Sequence, residues 1–161
     1  MENYVKSFAI FAGMTKFVGE YRAKTDDKGR LVFPSAFKSL MDSTRPMLLV
    51  VKKNLFAPCL DMFTYEEWER ESEELKSRLN FFNPSHAALW RGYMRGRAIV
   101  EPDSKLGRIM IPRTLLDSIG VEKEVVFAGN DHKIELWARD RYESSAMPEE
   151  EFTALAEKIL G

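Results

Sequence analysis

Apolar residues fall in short blocks along this chain, punctuated by Asp, Gly and Pro. That pattern signals strands joined by tight turns more than long helices. Phe17 to Thr25 predicts a strand. Asp26-Asp27-Lys28-Gly29 then supplies a turn, because Gly accepts positive φ and Asp bonds nearby backbone. Arg30 to Phe33 reads as a second strand stopped by Pro34, and Ser35 to Met41 as a short helix. Met47 to Lys52 is almost wholly apolar, as a fully buried strand would be, and Cys59 to Phe63 is the last strand of the set.

The set then recurs, which is the first thing to settle in reading a fold. Gly29-Arg30-Leu31-Val32-Phe33-Pro34 matches Gly107-Arg108-Ile109-Met110-Ile111-Pro112. Gly19 and Asp26 match Gly96 and Asp103. Leu60-Asp61-Met62-Phe63 matches Ile134-Glu135-Leu136-Trp137. Trp68-Glu69 matches Tyr142-Glu143. Shared elements in one order, at a slightly drifting offset, indicate two copies separated by small insertions. The second copy predicts elements at Gly96–Pro102, Arg108–Ile111, Arg113–Ile119, Glu124–Ala128 and Lys133–Ala138.

Helices follow each copy. Thr64 with Glu67 forms a capping box, after which Trp68, Leu75, Leu79 and Phe82 recur on one face. Asn83 caps and Pro84 opens a second helix bearing Leu89, Trp90, Tyr93 and Met94. Pro148 opens a third, with Phe152, Leu155, Ala156 and Ile159 apolar. Such stripes at helical period serve packing within the core or between subunits, not a cofactor. The expected organisation is a leader at 1–16, a first motif at 17–64, a helical spacer at 65–95, a second motif at 96–139 and C-terminal helices at 140–161. The fold class is α+β with a mostly β core of two tandem hairpin motifs and peripheral helices.

Composition narrows the function. The 161 residues are 45% hydrophobic and 30% charged, the balance of a chain that buries a core in water. Net charge is −1, so any nucleic-acid site depends on local clustering of charge. That clustering exists. Lys16 to Arg30 holds five basic and three acidic residues, and Arg91 to Arg108 holds five and two. Glu66 to Arg78 holds three basic and six acidic residues, and Asp140 to Gly161 holds two and six. Positive charge therefore sits on the repeated hairpins and negative charge on the helices, the polarity of a protein that docks hairpins on phosphate. Both copies place Lys and Arg around the same turn, at Lys28/Arg30 and Lys105/Arg108. An Arg just past a turn Gly can fork onto phosphate or guanine in a major groove that admits a two-stranded ribbon. Arg22 and Lys24, two apart on a strand, share a face and flank the site.

Other chemistry finds little support. The apolar run Ser7 to Gly13 behind Lys6 is shorter than a signal peptide requires and reads as part of a flexible leader, with Met14 an alternative start. No run approaches a membrane span. Cys59 is the single cysteine, in keeping with a reducing cytoplasm. Cys59 with His86 or His132 would be the only nucleophile–base pair on offer, yet Cys59 lies in an apolar strand and the spacing fits no metal site. No enzyme activity, cofactor, metal or small-molecule substrate is expected.

The stretch Asp26 to Pro34 resembles the D-x-K-G-R hairpin of the MraZ family, and Asp103 to Pro112 resembles that family's second D-x-x-G-R motif. The resemblance runs from about Met14 to the C-terminus. It implies an AbrB-like fold whose paired hairpins interlace, here within one chain as an intramolecular pseudo-dimeric barrel. It also implies a ring-shaped homo-oligomer in the cytoplasm, associated with the nucleoid. The implied target is double-stranded DNA: short direct repeats upstream of the division and cell-wall gene cluster. The rival readings are an AbrB-like antitoxin and a scaffold that ignores DNA. Copy two departs from the pattern, with one residue more between Asp103 and Gly107 than copy one has between Asp26 and Gly29. Either its turn carries a bulge or Ser104 takes the Asp place, and both would re-aim Arg108 relative to Arg30.

Overall fold

Gly29 and Pro34 leave room between them for a strand of at most four residues, and Gly107 and Pro112 do the same in the second copy. So short a strand buries little unless it finds a partner. The computed structural model, which describes residues 15–161, shows where that partner lies. Its elements are β1 (Glu20–Lys24), β2 (Leu31–Val32), α1 (Ser35–Lys38), β3 (Leu49–Lys53), β4 (Leu60–Thr64), α2 (Tyr65–Ser77), α3 (Pro84–Met94), β5 (Ala98–Val100), β6 (Arg108–Ile109), α4 (Arg113–Ser118), β7 (Glu124–Asn130), β8 (Lys133–Ala138), α5 (Arg139–Ser144) and α6 (Glu149–Leu160). The architecture is α+β on an antiparallel β core. The leader expected at 1–16 falls almost wholly outside the described residues.

Strand β2 pairs with β6, not with β1. This corrects the expected hairpin: in each copy only the turn is hairpin-like, and the second arm crosses to the other copy. The remaining strands form one six-stranded sheet in the order β1-β7-β8-β4-β3-β5. Exchanging the copies, β1 for β5 and so on, turns that order into its own reverse. The registers obey the same exchange. Val51 pairs with Met62 and Ala98, and its counterpart Phe127 pairs with Leu136 and Tyr21. A pseudo-two-fold axis therefore relates the copies. It passes between Leu31 and Ile109, counterparts that pair with each other, and between Asp61 and Glu135, which do likewise. β1 and β5 end the sheet with no ladder between them, so the pairing of the described strands does not close into a barrel.

The core lies between this sheet and the β2–β6 ribbon. Leu31 and Ile109 point into it, with Phe33, Leu49, Leu60, Met62, Phe127, Ile134 and Leu136 around them. Burying each such side chain is worth about 1.5–3 kcal/mol. Phe37 of α1 is fully buried and meets Phe17, Tyr21 and Phe33 at ring-centroid distances of 5.4, 4.9 and 6.3 Å. The first two contacts are edge-to-face, the geometry that aromatic quadrupoles favour.

The capped helices form where the sequence places them. Thr64 Oγ1 accepts the Glu67 amide at 3.2 Å, and Asn83 Oδ1 accepts the Ser85 amide at 2.9 Å. However, α2 stops at Ser77, so Leu79 and Phe82 lie beyond it and Phe82 is exposed. None of the helices among the described residues is long and apolar enough to cross a membrane. Phe37→Ala removes the ring on which three aromatic neighbours converge. It should cost about 3–5 kcal/mol of stability, read as a lower midpoint in urea unfolding with an unchanged slope.

Candidate nucleic-acid interface

The β2–β6 ribbon carries its two faces by simple alternation. Leu31 and Ile109 are fully buried, whereas Val32 and Met110 are each 51% exposed. Arg30 immediately precedes β2 and Arg108 opens β6, so both alternate with the buried Leu31 and Ile109 and belong to the outer side of the ribbon. The two turns thus feed one ribbon around the axis.

Each guanidinium is latched by the acid of its own turn. Asp26 accepts the Lys28 and Arg30 amides at 2.9 and 2.8 Å, and Arg30 Nε donates to its second oxygen at 2.7 Å. Gly29 closes the turn at φ 79°, donating to the Asp26 carbonyl at 2.9 Å. Asp103 repeats the scheme. It accepts the Lys105, Leu106 and Gly107 amides at 3.1, 2.9 and 3.1 Å, and Arg108 Nε donates to it at 2.7 Å. The alternatives for the longer turn are thereby resolved. Asp103, not Ser104, is the counterpart of Asp26, and the extra residue is taken up by one more amide on the same carboxylate. Arg108 keeps the same bond to its acid as Arg30.

The latch also fixes charge. The Arg30 backbone amide, followed by its side chain, holds the Asp26 carboxyl below its ordinary pKa. The Leu106 amide and then the Arg108 side chain lower Asp103 further. Both acids stay ionised at neutral pH. Binding through Nε leaves the two terminal nitrogens of each guanidinium, the pair that forks onto phosphate or guanine. The side chains are only 27% and 19% exposed, so each arginine is held, not waving.

Lys28 and Lys105 at the turn tips are exposed and form no ion pair among the described residues. Arg22 and Lys24 share an exposed face as expected, but both are engaged there. Arg22 Nη2 lies 3.5 Å from Glu143 of α5, and Lys24 Nζ 3.6 Å from Glu124 of β7. A further cation joins the second turn: Lys38 Nζ sits 3.7 Å from where a Cβ on Gly107 would stand. The residue at the place of Lys38 in the second copy is Leu116, so the repeat announces no cation here and only the three-dimensional crossing of the copies brings it to this turn.

At the other end of the axis lies a different cluster. Cys59, Asp61 and Glu135 bring ligand-type atoms within 4.8 Å of one another. Their counter-charge is already built in. Lys133 Nζ is 3.0 Å from Asp61 and 3.7 Å from Glu135, and Asn54 donates to Asp61 at 3.0 Å. Burial, then the charges of Glu135 and Asp61, pushes the Cys59 thiol up to about 12. Such a thiol is a poor nucleophile at neutral pH. His86 is occupied as an acceptor for the Asn80 amide at 2.9 Å.

Comparison with known proteins gives a consistent answer. The family model described as "MraZ protein, putative antitoxin-like" matches residues 94–160, the second copy and the helices after it. A Bacteroides thetaiotaomicron protein named "Transcriptional regulator MraZ" is 35% identical over 91% of this chain and 94% of its own length. Relatives of the same name from Christiangramia forsetii and Lachnoclostridium phytofermentans are 33% and 38% identical, over 92% and 81% of this chain and 95% and 86% of their own lengths. With two copies of one motif laid about a common axis and relatives matched along nearly their whole length, the chain belongs to the MraZ family.

Proposed function

We propose that this chain is a sequence-specific DNA-binding regulator of transcription, acting at the nucleoid in the cytoplasm. The relatives' shared name supports the regulatory part. The DNA-binding part rests on one observation: two arginines, each latched at Nε by its own turn aspartate and 27% and 19% exposed, lie on the outer side of one ribbon. A two-stranded ribbon fits the major groove, and held guanidiniums bind with little further loss of freedom. Arg30 and Arg108 are the central contacts, with Lys28 and Lys105 on flanking phosphates. Arg22 and Lys24 border the site, their carboxylate partners exchanged for phosphate on binding. The interlaced hairpins are an AbrB-like pseudo-dimer within one chain.

One ribbon offers about two to four phosphate contacts, too few for tight binding at physiological salt. A ring of copies on short direct repeats turns later contacts into intramolecular steps and gains about 10²–10⁴ in avidity. The targets are repeats upstream of the division and cell-wall gene cluster, and the outcome is repression. An AbrB-like antitoxin would instead co-purify with a small toxin, and a scaffold would show no sequence preference.

The test is a gel shift on DNA upstream of the chain's own gene at two salt concentrations. Arg30→Ala and Arg108→Ala should each cost about 1–3 kcal/mol of specific binding with oligomer mass unchanged. Lys28→Ala should weaken all sequences alike and lower the salt slope by about one. Normal operator binding by folded Arg30→Ala protein excludes this site. Asp26→Asn separates aim from charge. It removes a negative charge but loosens Arg30, so the ratio of specific to non-specific affinity should fall, and a ratio that holds or rises contradicts the latch.

A further inference from the structure

The backbones of the two copies are related by the two-fold axis, but the two ends of the ribbon are not alike. From the axial pair Leu31–Ile109 the ladder runs to Val32–Arg108, and the Phe33 amide then donates to the Gly107 carbonyl at 2.8 Å. Both steps lead toward the second turn. That turn is also the more firmly tied, with three amides on the Asp103 carboxylate against two on that of Asp26.

Lys38 adds a difference in charge. It closes α1, which Phe37 anchors in the core. Its half-buried stem reaches across to the second copy and sets the ammonium 3.7 Å from where a Cβ on Gly107 would stand. Nothing lies within 4 Å of the same place at Gly29. The position that matches Lys38 in the second copy holds Leu116, a core residue, so exchange of the copies supplies the first turn with no equivalent. Lys38 also walls a shallow hollow of about 430 Å³ beside the second turn, together with Arg45, Glu101, Asp103 and Ser104. Arg45 is matched there by Glu66 and Asp42 at 3.7 and 3.8 Å. Lys38 forms no ion pair among the described residues and is the unmatched cation of that wall.

We propose that Lys38 is a specificity residue that gives the ribbon a direction on DNA. In the reading above, Arg30 and Arg108 are the central contacts, one toward each turn. Lys38 adds a second donor at the Arg108 end, suited to the O6 and N7 acceptors of a guanine edge. The Arg30 end has no such donor. The chain therefore favours an asymmetric unit with one more G·C pair at the Arg108 end, and seats on it in one orientation. Repeats that all point the same way need such a reader, because a ribbon with equal ends would sit on each unit in either sense. The proposal rests on the DNA-binding reading and names the residue that sets its polarity.

The test uses the full chain with Leu106→Cys, an exposed position of the second turn, carrying an iron–EDTA label. Cys59 is fully buried and escapes labelling. The target is a duplex with a single repeat unit from upstream of the chain's own gene. Radicals from the label should cut on one side of the unit only. Lys38→Met keeps the stem, removes the charge and should cut on both sides, and Lys38→Arg should restore one-sided cutting. Replacing the G·C pair at the cut end should cost the labelled parent chain about tenfold in affinity, and the Lys38→Met chain less than about twofold. One-sided cutting by a folded Lys38→Met chain overturns the proposal, as does two-sided cutting by the parent. Equal losses when base pairs are replaced at mirror-related positions under the parent chain overturn it as well, with no change of fold involved. Each of these outcomes leaves DNA binding standing. A parent chain that binds no unit specifically takes down the regulator reading and the polarity with it.

Discussion

The Leu31–Ile109 pair is the contact on which the rest of the molecule depends. Each side chain belongs to a two-residue strand that has no ladder partner in its own copy. Each is fully buried only because the other copy lies across from it. Removing either would expose the floor of the core and separate the two arginines that flank the pair. The same crossing sets the sheet, since β1 pairs with β7 and β5 with β3, always between copies. Stability and the geometry of the basic face thus come from a single arrangement.

The turn acids extend that logic to function. A four-residue turn and a five-residue turn present their arginines alike because each is organised around a carboxylate, not around a fixed length. The carboxylate collects whatever amides the loop offers and returns one oxygen to Nε. Net charge near the ribbon falls as a result, but the remaining guanidinium edges are aimed. A regulator that must tell one sequence from millions gains more from aim than from added charge, since phosphate attraction treats all sequences equally.

Much of this was legible in the residues. The repeat, the turn aspartates and the Thr64 and Asn83 caps follow from spacing and local chemistry, as does the buried centre of the Met47–Lys52 block, although the strand runs Leu49–Lys53 and only Leu49 to Val51 are buried. The partner of β2 was not, because Arg30–Phe33 has the composition of a hairpin arm whichever strand it joins. The end of α2 at Ser77 was also hidden, since Leu79 and Phe82 keep the helical period after the helix has stopped. Lys38 could not be assigned to the second turn from any periodicity. The engagement of Arg22 and Lys24 with Glu143 and Glu124 depends on β1 lying beside β7, a pairing that spans about a hundred residues of chain.

The carboxylates that meet on the axis carry a last consequence. Asp61 and Glu135 face each other and share a single ammonium, Lys133. The position that corresponds to Lys133 in the first copy is Cys59, one residue before Leu60 as Lys133 precedes Ile134. Burial opposes the lysine's charge, yet Asp61 and Glu135 outweigh it and raise its pKa. Two first halves joined about this axis would set aspartate against aspartate with no cation, whereas two second halves would set two glutamates among two lysines. The two-fold relation of the backbone is therefore not a two-fold relation of charge: the second half alone carries the cation that the carboxylates of both halves share.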